Sequence, residues 1–342
     1  MQISSFFHGA TDPNRYANKY NGNYLMKAII YRRFGSPDEL EWTDDWPEPK
    51  LSARNVLIKA MAGSVNPKDT LLRKCKFSKT LARDPLPRVT GLDVAGEIIA
   101  IGSDVYDFSV GDLIFGMTNN FAGGVHAEIA KLSQTEIFNA PSNISIEEAS
   151  CVPLAAQTAL QALRDCCKIK EGQKVLINGA SGGVGHFAVQ IAKAMDAEVH
   201  AVCGPKNVQF VESLGADNTY SYTDRPATKI DTSFDSVFDV FGKFTRSVFV
   251  RQLRKSGIYV STVPKPATLL AETVARLGIS KASRLVVVRS QSDDLRQIKE
   301  WIESGLIIPH LEKKYPANQA SDAHRHIESK RTVGKICVEL SL

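Results

Sequence analysis

The chain has 342 residues, 43% of them hydrophobic, and a formal net charge of +5. That length suffices for two domains with cores of their own, and the lysines and arginines are scattered, which argues against a nucleic-acid partner. No apolar stretch reaches the length of a membrane span, and six cysteines without C-x-x-C spacing read as reduced thiols in a cytoplasm-like compartment.

Residues 1–25 read as a flexible extension, polar and without the sustained apolar core of a secretory signal. Arg15 and Lys19 leave organelle targeting open, while Asp12 and Pro13 argue against an amphipathic transit helix. From 26 to 145, short β-like runs at 27–35, 55–66, 94–102, 111–117 and 126–132 are broken by glycine and proline. They predict an irregular antiparallel β-domain. A basic cluster within it, Arg73, Lys74, Lys76 and Lys79, reads as the edge of a cleft or a solvated face. Ser145–Leu163 is predicted helical, with Ser145 and Glu148 forming a capping box and a break at Pro153.

A second domain is expected over 146–290. Strands at 174–178, 198–203, 236–240, 257–262 and 284–288 alternate with helices, the pattern of a doubly wound α/β sheet. Residues 291–342 return to the first domain through a helix at Gln319–Ser329. Ligands of such sheets lie beyond the carboxyl ends of the strands, so the active site is expected in the cleft between the domains. Its shape would rest on the loops Lys74–Pro87 and Thr262–Val274.

The most telling segment is 174–206. A short apolar strand stops at Gly179, Gly182, Gly183 and Gly185, and a helix opens at once, with Phe187, Ile191, Ala192 and Met195 on one stripe. This is the order of a dinucleotide-binding unit, in which the phosphates lie against the start of the helix. An NAD site normally carries an acid at the end of the next strand. Here that end reads Cys203-Gly204-Pro205-Lys206-Asn207. Without an acid to repel a 2′-phosphate, and with Lys206 at hand, NADPH is the expected cofactor. A charge-assisted contact of about 1.5–3 kcal/mol sets such a preference.

Several motifs in order resemble the medium-chain dehydrogenase/reductase superfamily, in its zinc-free quinone oxidoreductase and enone reductase branch. They are V-N-P-K-D (65–69), G-L-D-V-A-G-E (91–97), V-G-D-L-I-F-G (110–116), A-A-Q-T-A-L (155–160), G-A-S-G-G-V-G (179–185), L-G-A-D (214–217) and V-G-K-I (333–336). The resemblance implies a GroES-like β-domain, a Rossmann domain, and a homodimer paired through an edge strand at Arg284–Val288. It implies that Ser181, Gly182, Gly183 and Val184 hold the pyrophosphate and that Thr158 approaches the nicotinamide or its phosphate. Lys206 and Tyr222 would surround the 2′-phosphate, Val240 and Phe241 would lie along the adenosine, and Lys335 would be a basic phosphate contact. Asn66 and Asp69 would line the nicotinamide end as the catalytic candidates, although Asp69 equally suits a turn residue bonding its own backbone.

The chain departs from zinc-dependent relatives, which carry cysteine at the Val65-Asn66 turn, His-Glu at Leu92-Asp93, and a further cysteine near Leu154. A catalytic zinc needs three protein ligands, so no metal is expected. Without one, hydride from NADPH suits acceptors that are already electron-poor, namely quinones and α,β-unsaturated carbonyls. Two other readings stay open: a non-catalytic NADPH-binding relative that engages a partner, and an enoyl-thioester reductase using the basic cluster. Proton delivery is unassigned; Lys68, Lys74 and Cys75 are the nearby candidates.

Overall fold

Three sheets organise the described residues. The computed structural model describes residues 24–77, 85–242, 244–263 and 283–341. The expected extension therefore lies almost wholly outside the described residues, as do Lys79 and parts of the loops at 74–87 and 262–274.

The dinucleotide-type sheet is six-stranded and parallel. Its spatial order is Asn218–Ser221, Glu198–Cys203, Lys174–Asn178, Phe234–Asp239, Leu253–Ser261 and Ser283–Leu285. Numbered along the chain this is 3-2-1-4-5-6, with the reversal of direction beside the strand that feeds the glycine turn. Lys174–Asn178 is buried through its last four residues, as expected for a central parallel strand covered on both faces. Helix Gly183–Ala194 lays Phe187, Ile191 and Ala192 into the core, all fully buried. The strand at Asn218–Ser221 is absent from the sequence reading because Asn-Thr-Tyr-Ser offers no apolar run; it holds its place as an edge strand paired to 200–203. Among the described residues the last edge strand covers Ser283–Leu285 and stops before the expected end at 288.

The other large sheet is seven-stranded and mostly antiparallel, ordered Leu311–Pro316, Lys335–Glu339, Asn55–Ser64, Asp93–Ile101, Leu113–Met117 and Ile137–Asn139, with Ile129–Ser133 also against Asn55–Ser64. A three-stranded sheet of Leu40–Pro47, Leu25–Tyr31 and Arg88–Val89 flanks it. Leu40–Pro47, rich in acids and half exposed, was not legible as a strand.

Helix Ile146–Ser150 carries the expected capping box, with Glu148 N–H donating to Ser145 Oγ and Ser145 N–H to Glu148 Oε2. The chain breaks at Cys151-Val152, and a second helix runs Pro153–Gln161. The basic cluster needs correction. Arg73 is fully buried, paired with Glu328 and donating to the carbonyl of Gly35. Lys74 also pairs with Glu328, at 2.7 Å. Arg73 fastens helix Pro67–Arg73 to helix Ala320–Glu328 and lines no groove.

The crossing from the last parallel strand back to the mixed sheet is gripped by amides. Gln157 Oε1 accepts from Gln291 N–H (2.9 Å), Gln161 bonds both backbone groups of Arg289 (2.7 and 3.1 Å), and Asn119 bonds both of Ser290 (2.8 and 3.2 Å). These side chains satisfy backbone groups that no strand partners.

Candidate active site

The glycine turn lies at the carboxyl end of the central strand. Gly179 has φ of 95°, a left-handed conformation that glycine adopts without strain. Gly185 is there for proximity: a Cβ on it would lie 2.0 Å from the carbonyl oxygen of Gly179. Gly182 caps helix Gly183–Ala194, and among the described residues a Cβ on it would meet nothing closer than 3.6 Å. Space is therefore open before Gly182, at the positive end of the helix, an arrangement that fits a pyrophosphate. Ser181 braces the turn: its hydroxyl accepts from Asn207 (3.1 Å) and its carbonyl from Gly334 N–H (2.9 Å). Val184 is half-buried behind it. Burial pushes the pKa of His186 down to about 3. The neutral ring bonds the Gly182 carbonyl through Nδ1 (3.1 Å) and accepts from His310 N–H through Nε2 (3.4 Å).

Residues expected around adenosine gather beside this turn. Val240 and Phe241 both donate their N–H to the carbonyl of Asn178, at 3.1 and 3.3 Å, and Phe241 is 54% exposed. Lys206 is exposed in the turn Pro205–Asn207. Tyr222, also exposed, lies 3.5 Å from the position a Gly204 Cβ would take. Asp239, just before Val240, is committed elsewhere: it accepts from Asn178, Gly242 N–H, Phe244 N–H and the Tyr259 hydroxyl.

The other end of the site is a buried polar cluster. Asn66 begins helix Pro67–Arg73, and Asp69 accepts its N–H at 2.7 Å, so the turn reading of Asp69 holds. Asn66 spends its whole amide internally. It donates to Ser64 O (3.2 Å) and Asp93 Oδ2 (2.8 Å), and its oxygen accepts from Lys335 Nζ at 2.5 Å. Asp93 also accepts Leu154 N–H (2.8 Å), and Lys335 Nζ lies 3.8 Å from it. Burial raises the carboxyl pKa of Asp93, opposed chiefly by Lys335. Burial pushes Asp69 up to about 7. Lys335 also reaches the glycine turn, its Cδ lying 3.0 Å from where a Gly183 Cβ would be. Thr158 is buried on the adjoining helix, its hydroxyl donating to Leu154 O at 2.6 Å. Burial pushes His126 down to about 4, and its ring fills the space beside Gly63 and Gly91.

Asp93 and Asn207 were not singled out as site residues from the sequence. The signal for Asp93 lies in G-L-D-V-A-G-E, both a family motif and the place of missing metal ligands.

Residues 52–142 match a family model described as an alcohol dehydrogenase GroES-like domain, and 214–338 one described as zinc-binding dehydrogenase. A chloroplast envelope quinone oxidoreductase homolog of Arabidopsis thaliana is 30% identical over 92% of this chain and 98% of its own. The chain belongs to the medium-chain dehydrogenase/reductase superfamily, in its quinone oxidoreductase branch. A chloroplastic NADPH-dependent alkenal/one oxidoreductase of the same plant is 30% identical, over 92% of this chain and 79% of its own. The solved quinone oxidoreductase of Coxiella burnetii superimposes with a TM-score of 0.83 at 28% identity, covering 93% of this chain and all of its own. Medium-chain reductases are pyridine-nucleotide-dependent oxidoreductases, and the GroES-like and Rossmann folds expected from the sequence are those of this family.

Some medium-chain dehydrogenases carry catalytic zinc, and the donor set here does not fit it. The oxygen of Asn66, at one ligand position, already holds the ammonium of Lys335, and Leu92 and Leu154 occupy the others. A dication beside a buried ammonium would be repelled strongly. Among the described residues no three His, Cys, Asp or Glu side chains converge to hold a metal ion, and no helix is long and apolar enough to cross a membrane.

Proposed function

We propose that this protein reduces quinones or α,β-unsaturated carbonyl compounds with NADPH. The observation that carries this reading is the helix start with open space before Gly182 and with Lys335, against Gly183, linking it to the Asn66–Lys335–Asp93 cluster. Gly182, Gly183, Val184 and Ser181 would hold the pyrophosphate, with Lys335 as the nearest buried cation. Lys206 and Tyr222 would receive the 2′-phosphate, Val240 and Phe241 the adenosine side, and Thr158, Asn66 and Asp69 would line the nicotinamide end. Bound NADPH supplies a hydride. With no Lewis acid in the donor set, the chain's own groups orient the acceptor, exclude water and stabilise charge developing on its oxygen, which suits acceptors polarised by conjugation.

The names of the plant relatives support both acceptor classes. Six free thiols fit a reducing compartment. Among the described residues Ser283–Leu285 is one edge of the parallel sheet, and pairing there with a second copy is what light scattering tests.

Purified protein is mixed with NADPH or NADH and a panel of quinones, short enones and enoyl-CoA esters while nicotinamide absorbance is followed. Acceptor-dependent oxidation of NADPH is expected. Cofactor binding without oxidation would favour a non-catalytic relative, and turnover of CoA esters alone an enoyl-thioester reductase. Lys206→Glu is expected to weaken NADPH roughly ten- to a hundredfold against NADH; an unchanged ratio would remove Lys206 from the phosphate site.

A further inference from the structure

Of the residues expected to line the nicotinamide end, Asn66 and Thr158 have no donor to spare. Both N–H bonds of the Asn66 amide point to Ser64 O and Asp93, and the Thr158 hydroxyl points to Leu154 O. Asp69 is buried with its Oδ2 on Asn66 N–H. Lys68 is different. It follows Asn66 by two residues on the first turn of helix Pro67–Arg73 and is half-buried. Arg73 at the end of the same helix and Lys74 just beyond it share Glu328, and Lys335 is held by Asn66. Lys68 has no hydrogen bond or ion pair among the described residues; its ammonium sits 4.2 Å from the ring centroid of Phe121, which meets Phe77 edge-on at 5.0 Å.

We propose that Lys68 holds the carbonyl oxygen of the acceptor and delivers the proton that follows the hydride. This rests on the reductase reading above. A half-buried ammonium with no ion pair among the described residues gains most from an oxyanion, because charge forming beside it in a low-dielectric site is stabilised far more than in water. The face of Phe121, itself packed edge-on against Phe77, gives that ammonium a flat apolar flank, suited to a planar neutral acceptor. Buried carboxylates face Lys68 from its own helix (Asp69) and from the strand Asp93–Ile101 (Asp93), with Lys335 beyond Asn66. Burial lowers the lysine pKa from its ordinary value while the two carboxylates oppose the shift, which eases release of the proton.

The step balances. Hydride adds to the β-carbon of an enone, and the π pair shifts to the carbonyl oxygen. An N–H bond of Lys68 breaks as its proton passes to that oxygen, and the neutral amine takes a proton from solvent. The acceptor gains one hydride and one proton, and the reduced nicotinamide is oxidised by two electrons. With a quinone the same proton goes to the phenolate oxygen.

The test uses 4-nitrophenol as an oxyanion probe on the full chain saturated with NADP⁺, with turnover measured separately. The bound phenol should ionise at a pH at least about one unit lower on wild-type protein than free in solution, a tenfold preference for phenolate. Lys68→Met should abolish that lowering and reduce kcat at least tenfold, with NADPH affinity unchanged. Lys68→Arg should keep the lowering yet lose the basic limb of the pH–kcat profile, because arginine does not release a proton in this range. No lowering in wild-type protein, or the same lowering in Lys68→Met, overturns the assignment. A wild-type shift without turnover of any quinone or enone would sink the reductase reading while leaving Lys68 as the oxygen-holding group.

Discussion

Lys335 donates to the side-chain oxygen of Asn66 at 2.5 Å, across 269 residues of chain. The bond joins the start of the helix at Pro67 to the strand at the far end of the sequence, and it places a cation 3.8 Å from the buried carboxylate of Asp93. Lys335→Met removes the cation and leaves the carboxylate. Breaking a buried pair in this way costs about 3–5 kcal/mol. Burial already raises the Asp93 pKa, and loss of Lys335 raises it further, so the deficit should shrink as the pH falls and Asp93 protonates. Urea unfolding at pH 5 and pH 8 checks this.

Asp69 gives a second pH-dependent term. Its carboxyl is pushed up to about 7 by burial, above its ordinary 3.8. A carboxyl raised on folding contributes stability that is full below its unfolded value and is lost as pH rises through the folded one. Between about pH 4 and 7 the wild-type protein should therefore lose stability through Asp69, on the order of 4 kcal/mol. Asp69→Asn keeps an acceptor for Asn66 N–H and carries no charge. It should flatten that part of the stability profile and melt higher than wild type at pH 8.

Two glycines in one turn should fail in different ways. A Cβ at Gly185 would stand 2.0 Å from the Gly179 oxygen and 2.8 Å from Ala180 Cα, so Gly185→Ala must part helix from strand. A loss of about 3 kcal/mol or more follows, and cofactor binding goes with it. Gly182 has ordinary φ and, among the described residues, open space before it. Gly182→Ala should melt within about 1 kcal/mol of wild type while binding NADPH at least tenfold more weakly. Thermal melts with and without NADPH separate the two.

Arg73 and Lys74 both contact Glu328 but are not equivalent. Arg73 is fully buried, whereas the Lys74 side chain is 35% exposed. Arg73→Met should cost about 3–5 kcal/mol, and Lys74→Met no more than about 1 kcal/mol. Chemical denaturation of both variants tests the assignment of Arg73 as a clamp between two helices.

The legible parts of this molecule were those with strong local rules. The glycine turn, the capping box at Ser145 and the buried parallel strands each follow from a few adjacent residues. The edge strand at Asn218–Ser221 did not, since its conformation depends on the neighbour that it pairs with. Arg73 looked like one member of a surface cluster because its partner, Glu328, lies 255 residues away. The same distance hid the cluster at Asn66: each residue was visible, but not that Lys335 and Asp93 use up the amide. Lys68 was one of several nearby cations until the structure showed which had partners.

The pairing of strand Lys335–Glu339 with Asn55–Ser64, through Cys337 to Ser64 and Val338 to Gly63, also bears on the order in which the protein forms. The whole parallel sheet lies within the loop that this pairing closes. Long-range pairing of this kind pays its closure entropy before it gains contacts, and a sheet already folded inside the loop brings the two ends near each other. Refolding is therefore expected to assemble the nucleotide-type sheet first and the Asn66–Lys335 bond in the slowest phase, so that the chemical end of the site is the last part of the molecule to exist.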